Sequence, residues 1–483
     1  MSTPDPNPDA SNTVGAAVRW KVIDQALTQG LALISAIVLA RLLLPADFGL
    51  FVMVVVFIAL AELFVHVGVA SALIQRQDTT ATDENTVFWF NLAIGIVLAV
   101  GVFLAAPAIA AFYDQPLVAD LTRAMSVNVV LSALVTVPAA RWRKALDFRR
   151  LATMAGISTG GGMVVAIVMA LNGAGAWALA GQILATGALR CVSAFALDRW
   201  RPGLEFNAAR FRTLFGYGSW LALAQAMTLL ASQAYTVVVG RLYTPADLGI
   251  FNRAINTSGL PQTFISNVYL SVAFPVLSRH SADPARMKRA LSEGLVAAAA
   301  IHLPVMVGIA LVAENLVPVA FGPNWDAVAP FLQVLCLASI PWLVFKAQGN
   351  ALKALGLASL YFRLQLVFQG LFIVMVLVTA PVGLDALAWG MFAMQLLGFV
   401  LFGVVLGRYL DFGLAAQLQE LAPLLALAAF MAVVVLGQRQ WVELDSNIAN
   451  LLLSTVVGMV AYLVPLALFR PSMLRQLLRP FKG

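Results

Sequence analysis

An all-α polytopic membrane protein, with about fourteen transmembrane helices in two parallel-repeat six-helix lobes plus two C-terminal helices, is what three observations on the 483-residue chain predict. Hydrophobic residues make up 61% of the chain and charged residues only 11%, too few polar side chains to coat ordinary soluble domains. Apolar runs of roughly the 20 residues that cross a bilayer as a helix recur from end to end. One stretch also returns: Arg41-Leu-Leu-Leu-Pro-Ala-Asp-Phe-Gly-Leu-Phe51 reappears 200 positions later, without a gap, as Arg241-Leu-Tyr-Thr-Pro-Ala-Asp-Leu-Gly-Ile-Phe251.

Seven of these eleven positions are identical, and the register runs backwards through Trp20 and Trp220, Gln25-Ala26 and Gln225-Ala226, Thr28 and Thr228, and Val38 and Val238. Such self-similarity at a fixed offset marks an internal repeat. The repeated unit is an apolar helix and the turn that ends it. In that turn Arg can reach headgroups, Pro sets φ, Asp can cap the next helix, and Gly is expected to permit a tight bend.

Taken in order, the chain opens Met-Ser-Thr-Pro-Asp-Pro-Asn-Pro-Asp-Ala. This is polar and proline-rich, without a basic n-region or apolar h-region, so residues 1–15 read as a disordered cytoplasmic tail and not a signal peptide. A six-helix lobe over 16–198 follows, with spans near 18–40, 50–73, 87–111, 118–140, 151–172 and 175–197. A cytoplasmic linker occupies 199–213. The second lobe, 214–408, carries spans near 214–239, 252–276, 290–313, 327–350, 357–379 and 384–407. Two more, near 417–436 and 448–469 within 417–470, have no counterpart in the first half. Residues 471–483 form a short basic tail with apolar residues interleaved, suited to the inner leaflet or to solvent.

Lys and Arg collect on the cytoplasmic side of membrane proteins. With the N-terminus inside, 24 of the 30 basic residues fall on or near that side, including Arg141, Arg143, Lys144, Arg149, Arg150, Arg199, Arg201 and Arg286. Only Arg41, Arg123, Arg241, Arg253 and Arg439 fall outside, and Lys346 lies within a span. Both termini are therefore expected in the cytoplasm. The net charge of +7 is scattered over short loops, so it is a topology signal and no nucleic-acid partner is assigned to it. Because the first and seventh spans run the same way, the repeat is parallel, with a substrate path expected between the halves near the midplane. Cys191 and Cys336 both lie in apolar segments, which indicates neither a disulfide framework nor a Cys metal site. No metal site or cofactor is assigned.

An ionisable group at membrane depth is expensive and so is a functional candidate. On the first span Lys21, Asp24, Gln25, Thr28 and Ser35 share one helix face. The seventh repeats part of it as Gln225, Thr228 and Ser232. That stripe reads either as the lining of a water-filled cleft or as hydrogen bonding between helices. Where the repeat breaks its own symmetry, one half has acquired something. Arg19, Lys21 and Asp24 face Ser219, Leu221 and Ala224, and Met53 and Val56 become Arg253 and Asn256. Lys21, Arg253 and Lys346, with Arg19 and Arg123 behind them, are the best cavity cations, of a kind that binds an anionic ligand. Snorkelling to lipid phosphate accounts equally for Arg19, Arg123 and Arg253. Lys346, Asn350 and Lys353 lie on one face of the tenth span. Glu62 and His66, one turn apart, could exchange protons with a gradient; a structural Glu–His bond, or a pairing of Glu62 with Lys21, fits as well.

Six plus six plus two spans, with Arg41-Leu-Leu-Leu-Pro-Ala-Asp-Phe-Gly after the first, resemble the Wzx-type flippases. These are the polysaccharide-transporter branch of the multidrug/oligosaccharidyl-lipid/polysaccharide exporter superfamily. Ala61-Glu-Leu-Phe-Val-His-Val-Gly-Val-Ala-Ser-Ala-Leu-Ile-Gln-Arg-Gln77 and Phe321-Gly-Pro-Asn-Trp325 are also similar to that family. The resemblance implies translocation of undecaprenyl-diphosphate-linked oligosaccharide repeat units across the bacterial inner membrane by alternating access, for exopolysaccharide or lipopolysaccharide synthesis. Its implied partners are that lipid-linked oligosaccharide, membrane lipids and polysaccharide-polymerase machinery; no enzymatic activity is implied. Lys21, Arg253 and Lys346, with Arg19 and Arg123 behind them, would then hold the diphosphate.

Rivals are a multidrug or cation antiporter, which needs cavity acids where the deep acids number only Asp24 and Glu62, and a peptidoglycan lipid-precursor flippase, whose substrate carries the same diphosphate. A membrane polysaccharide polymerase would need a sizeable outer loop, whereas the longest outer loop spans only about 314–327. No Gly-x-x-x-x-Gly-Lys-Ser/Thr stretch is present to drive a nucleotide-powered pump.

Overall fold

Several helix starts fall where the sequence supplies proline or a short acid. The computed structural model describes residues 8–66, 79–198, 200–207, 227–280, 283–442 and 444–469. Its first helices are α1 (Pro8–Leu42), α2 (Pro45–His66), α3 (Ala81–Tyr113), α4 (Pro116–Lys144), α5 (Phe148–Leu171) and α6 (Ala176–Leu197). A further helix, α7, is described over 227–242. Then come α8 (Pro245–Arg279), α9 (Pro284–Phe321), α10 (Val328–Ala354), α11 (Ala358–Thr379), α12 (Leu384–Leu410), α13 (Leu414–Trp441) and α14 (Asn447–Phe469). No strand occurs among the described residues. α1 begins at Pro8, inside the stretch expected to be a tail.

Thr80 and Asp83 cap α3 reciprocally, the Thr80 amide donating to the Asp83 carboxylate at 2.9 Å. Asp147 accepts from the Arg150 amide at the start of α5, and Asp283 accepts from the Ala285 and Arg286 amides at the start of α9. Each satisfies donors that the first helical turn leaves open.

Among the described residues, eleven helices are long and apolar enough to cross a membrane, and 27–42 of α1 is a shorter apolar helix. The chain is a multi-pass membrane protein. α8 has the length but carries Asn252, Arg253, Asn256, Thr257, Ser258 and Gln262, which makes it the polar member of the set. Side chains such as Val97, Leu104, Val433 and Leu468 are two-thirds exposed or more, an apolar outside that suits hydrocarbon and not water.

Contacts divide the chain into two units, Met1–Gly249 and Ile250–Gly483. In the first, α3 packs on α4, α5 on α6, α1 on α5, and α4 lies against both α2 and α6. The strand-free stretch 200–207 is tied to this unit rather than hanging from it. Trp89 donates to the Gly203 carbonyl at 2.8 Å, the Gly203 amide to Asn85 at 2.9 Å, and the Asn207 amide to Thr86 at 3.1 Å. Arg141 joins the same cluster, bonding to Glu84, lying 3.6 Å from Asp198 and facing the Trp200 ring. Part of the expected linker is thus a strap on the start of α3.

The repeated turn also departs from expectation. Asp47 and Asp247 reach back to the amides of Leu44 (3.0 Å) and Thr244 (3.2 Å), as third helical residues of a capping arrangement do. Gly49 and Gly249, however, sit inside helices and outside the left-handed region. Their smallness serves close approach instead of a bend. A Cβ on Gly49 would lie 1.7 Å from the Pro245 carbonyl oxygen, and one on Gly249 would lie 1.9 Å from that of Pro45. The two copies of the turn clasp each other, glycine against proline carbonyl in both directions.

In the second unit α10 packs on α9 and α12, and the terminal hairpin α13–α14 packs on α9. Gln348 donates to Gln417 at 2.7 Å and Gln417 to the Phe412 carbonyl at 2.7 Å, while Tyr462 donates to the Ala300 carbonyl at 3.1 Å. Arg439 binds the Leu311 carbonyl and Glu314. The two helices without repeat partners are therefore built into this unit's core.

Candidate functional site

The cavity that gathers most of the unspent chemistry lies between α10 and α11. α10 ends at Ala354, Gly356 turns the chain at φ 77°, and α11 starts at Ala358. In such a hairpin, residues equally far from the turn come opposite each other. Lys353 and Tyr361 are each four residues from Leu357, and Gly349 and Gln365 each eight. Steps of four keep to one helix face, so these four positions meet on the inner side of the hairpin.

The result is a cavity of about 210 Å³ lined by Trp342, Phe345, Lys346, Gly349, Asn350, Lys353, Tyr361 and Gln365. Gly349 makes it possible, because a Cβ there would lie 2.8 Å from the Tyr361 ring. Phe402 buttresses Tyr361 edge to face at 6.0 Å. The Lys346 ammonium lies 5.4 Å from the Phe345 centroid and 5.8 Å from that of Trp342; the Lys353 ammonium lies 4.9 Å from that of Tyr361. Asn350 is fastened to the Lys346 carbonyl at 3.0 Å. Among the described residues neither lysine has a carboxylate partner. Aromatic faces hold the cations in place, and their N–H groups remain able to bind an anion. Two positive charges with no acid in the wall are arranged for a ligand that carries negative charge.

The other predicted residues are placed as follows. Arg253 is buried, its guanidinium 5.1 Å from the Phe321 ring centroid and 5.0 Å from that of Trp325. These rings belong to the Phe321-Gly-Pro-Asn-Trp325 segment, where Gly322 adopts φ 94° and a 3₁₀ turn follows. Arg123 is half-buried, paired with Asp120 at 3.2 Å and facing the Phe103 ring. Asn256 is exposed and donates to Asn252 at 2.6 Å. Gln25 is exposed and Thr28 half-buried. Ser35, in the same stripe, is buried and accepts from Gln182 of α6 at 2.8 Å, so at that position the stripe joins helices. Arg19, Lys21, Asp24 and His66 lie on described helices, but their side chains are outside the described set, as is the whole of Gln225.

Glu62 forms a second polar centre, within the first unit. Its Oε1 accepts from Asn128 at 2.6 Å and Ser132 at 2.8 Å, both on α4, and the charge of Arg190 on α6 also acts on it. Gly187 admits Asn128 here, since a Cβ would lie 2.2 Å from its Oδ1. The carboxylate's described hydrogen-bond partners are thus on α4, and the pairings with His66 and Lys21 fall on side chains outside the described residues.

Sequence reasoning placed Lys346, Asn350 and Lys353 on one face but missed Trp342, Tyr361 and Gln365. Folding the sequence back about Leu357 would have found the last two.

Known proteins of similar sequence fit this picture. The chain is 27% identical to the lipopolysaccharide biosynthesis protein WzxC of Escherichia coli (strain K12), with 74% of this chain and 73% of that protein covered. It is 27% identical to the succinoglycan biosynthesis transport protein ExoT of Rhizobium meliloti (strain 1021), covering 71% of each. Teichuronic acid biosynthesis protein TuaB of Bacillus subtilis (strain 168) is 23% identical over 87% of this chain and 88% of that one. In fold, the chain is similar to the lipid II flippase MurJ in an inward closed conformation, at a TM-score of 0.77 and 12% identity over 95% of this chain and all of that one. An inward-facing multidrug resistance MATE family transporter gives 0.63 at 16% identity, over 81% of this chain and 98% of that one. The sequence pattern of the polysaccharide biosynthesis protein family matches residues 38–330, well over half of the chain, and the chain belongs to that family.

Proposed function

We propose that this chain translocates undecaprenyl-diphosphate-linked oligosaccharide repeat units from the inner to the outer leaflet of a bacterial inner membrane, by alternating access of its two halves. The observation that carries the reading is the cavity in which Lys346 and Lys353 share a wall with no carboxylate. A cation antiporter would need the opposite charge at such a site, while a diphosphate supplies what two lysines lack. The family membership and the transport and biosynthesis names of the relatives support the same substrate class. On this reading Lys346 and Lys353 hold the diphosphate, with Lys21 as a further cation at the inner mouth. Arg253, stacked on two rings, secures the outer end of α8. Glu62 is the coupling candidate, held by Asn128 and Ser132. The protein moves its substrate without converting it, and a polysaccharide polymerase consumes the product on the far side.

Deleting the gene and following lipid-linked oligosaccharide tests the reading. The repeat unit should accumulate on the inner leaflet and polymer should be lost, both restored by the chain supplied in trans; normal polymer without accumulation would refute it. Orientation is tested separately. Reporters fused after Arg150, Arg212 and Arg289 should behave as cytoplasmic, and those at Asp47, Asp247 and Asn324 as external, because basic residues set the sidedness of short loops. A cytoplasmic signal at Asn324 would overturn the placement of the ninth and tenth spans.

A further inference from the structure

The cavity between α10 and α11 contains one group that a bare diphosphate does not explain. Lys346 and Lys353 are donors only, and phosphate oxygens accept from them. Gln365 faces the same space, and its side-chain oxygen is buried with no hydrogen-bond partner among the described residues. A buried acceptor left unmade is costly, and a donor brought by the ligand satisfies it. Ionised phosphate oxygens cannot donate; a sugar hydroxyl can. Among the side chains that line this cavity, Gln365 is the one whose buried oxygen is left unmade among the described residues.

We infer that Gln365 is a specificity-determining residue, accepting a hydrogen bond from a hydroxyl of the sugar attached directly to the diphosphate, so that this cavity selects glycosylated carrier over empty carrier. The inference rests on reading Lys346 and Lys353 as the diphosphate site. It also has a use: a transporter that took unloaded carrier as readily would run futile cycles. Discrimination of this kind is strong when a site's buried polar group is left unpaired by the wrong ligand.

The test uses the full-length protein in lipid nanodiscs and two probes, farnesyl diphosphate and farnesyl diphosphate carrying a single hexose. Wild-type protein should bind the glycosylated probe about 5- to 10-fold more tightly, the value of one net hydrogen bond. Gln365→Met should bring the two Kd values together while leaving that for the bare diphosphate within about twofold, which also certifies the fold. Gln365→Asn, one methylene short, should restore part of the preference. A preference that survives Gln365→Met, or a wild-type protein with no preference, overturns the sugar inference alone. If wild-type protein binds neither probe, or Lys346→Gln leaves both Kd values unchanged, the diphosphate reading fails and takes this one with it.

Discussion

Gly49→Ala and Gly249→Ala are each expected to lower the amount of folded protein in the membrane by tenfold or more. A Cβ on Gly49 would lie 1.7 Å from the carbonyl oxygen, 2.5 Å from the carbonyl carbon and 2.9 Å from the Cα of Pro245. All three are backbone atoms, so no side chain can swing aside and the helix starts must separate. Overpacking a core typically costs about 1–3 kcal/mol even when side chains can adjust, and the whole margin of stability is about 5–15 kcal/mol. Gly101→Ala is the control, since nothing lies within 4 Å of its Cβ position; it should be neutral or stabilising by up to about 1 kcal/mol. Pro45→Ala and Pro245→Ala keep the carbonyl that the glycine meets and should cost no more than about 1 kcal/mol. The double glycine variant should cost less than the two singles together, because both act on one crossing that is already parted after the first. Membrane abundance and thermal melting of each variant decide the matter. Wild-type levels for both single variants would show that the clasp is dispensable.

Neutralising both cavity lysines should abolish transport without unfolding the chain. One charge-assisted hydrogen bond contributes about 1.5–3 kcal/mol, so Lys346→Gln or Lys353→Gln alone should lower apparent affinity or rate roughly 10- to 100-fold. Lys346→Arg should retain more function than Lys346→Gln if charge is what matters. If Lys346 merely packs between Trp342 and Phe345, the bulkier Arg should be the worse substitute. Complementation of a flippase-deficient strain, normalised to protein in the membrane, separates these outcomes. Full complementation by the Lys346→Gln/Lys353→Gln protein at normal abundance would return the lysines to a structural role.

What the sequence disclosed, and what it withheld, follows from the range of the interactions concerned. Spans and the repeat are legible because they depend on local hydropathy and on identity at a fixed offset. The Lys346, Asn350 and Lys353 face is legible because helical periodicity is local too. Gln365 and Tyr361 enter only through a hairpin, and Arg253's rings come from a segment nearly seventy positions away, distances at which no periodicity operates. Gly49 illustrates the same limit more sharply. A glycine after Pro-Ala-Asp invites a turn reading, whereas its requirement comes from the other copy of the motif, 200 residues on. Two partners of Glu62 followed this rule as well: Asn128 and Ser132 lie on α4, far along the chain.

The hydrogen bonds from Gln417, Tyr462 and Arg439 into the rest of the second unit set an order of events during synthesis. As the chain emerges, α9 and α10 enter the membrane with the Ala300 carbonyl and the Gln348 amide still short of the partners they have in the finished fold. Those partners arrive only with α13 and α14, the last of the described helices. Maturation of the second unit is thus timed by α13 and α14, and a product that stops before α13 leaves the Ala300 carbonyl and the Gln348 amide without these partners in the bilayer, where unmade polar groups are costly.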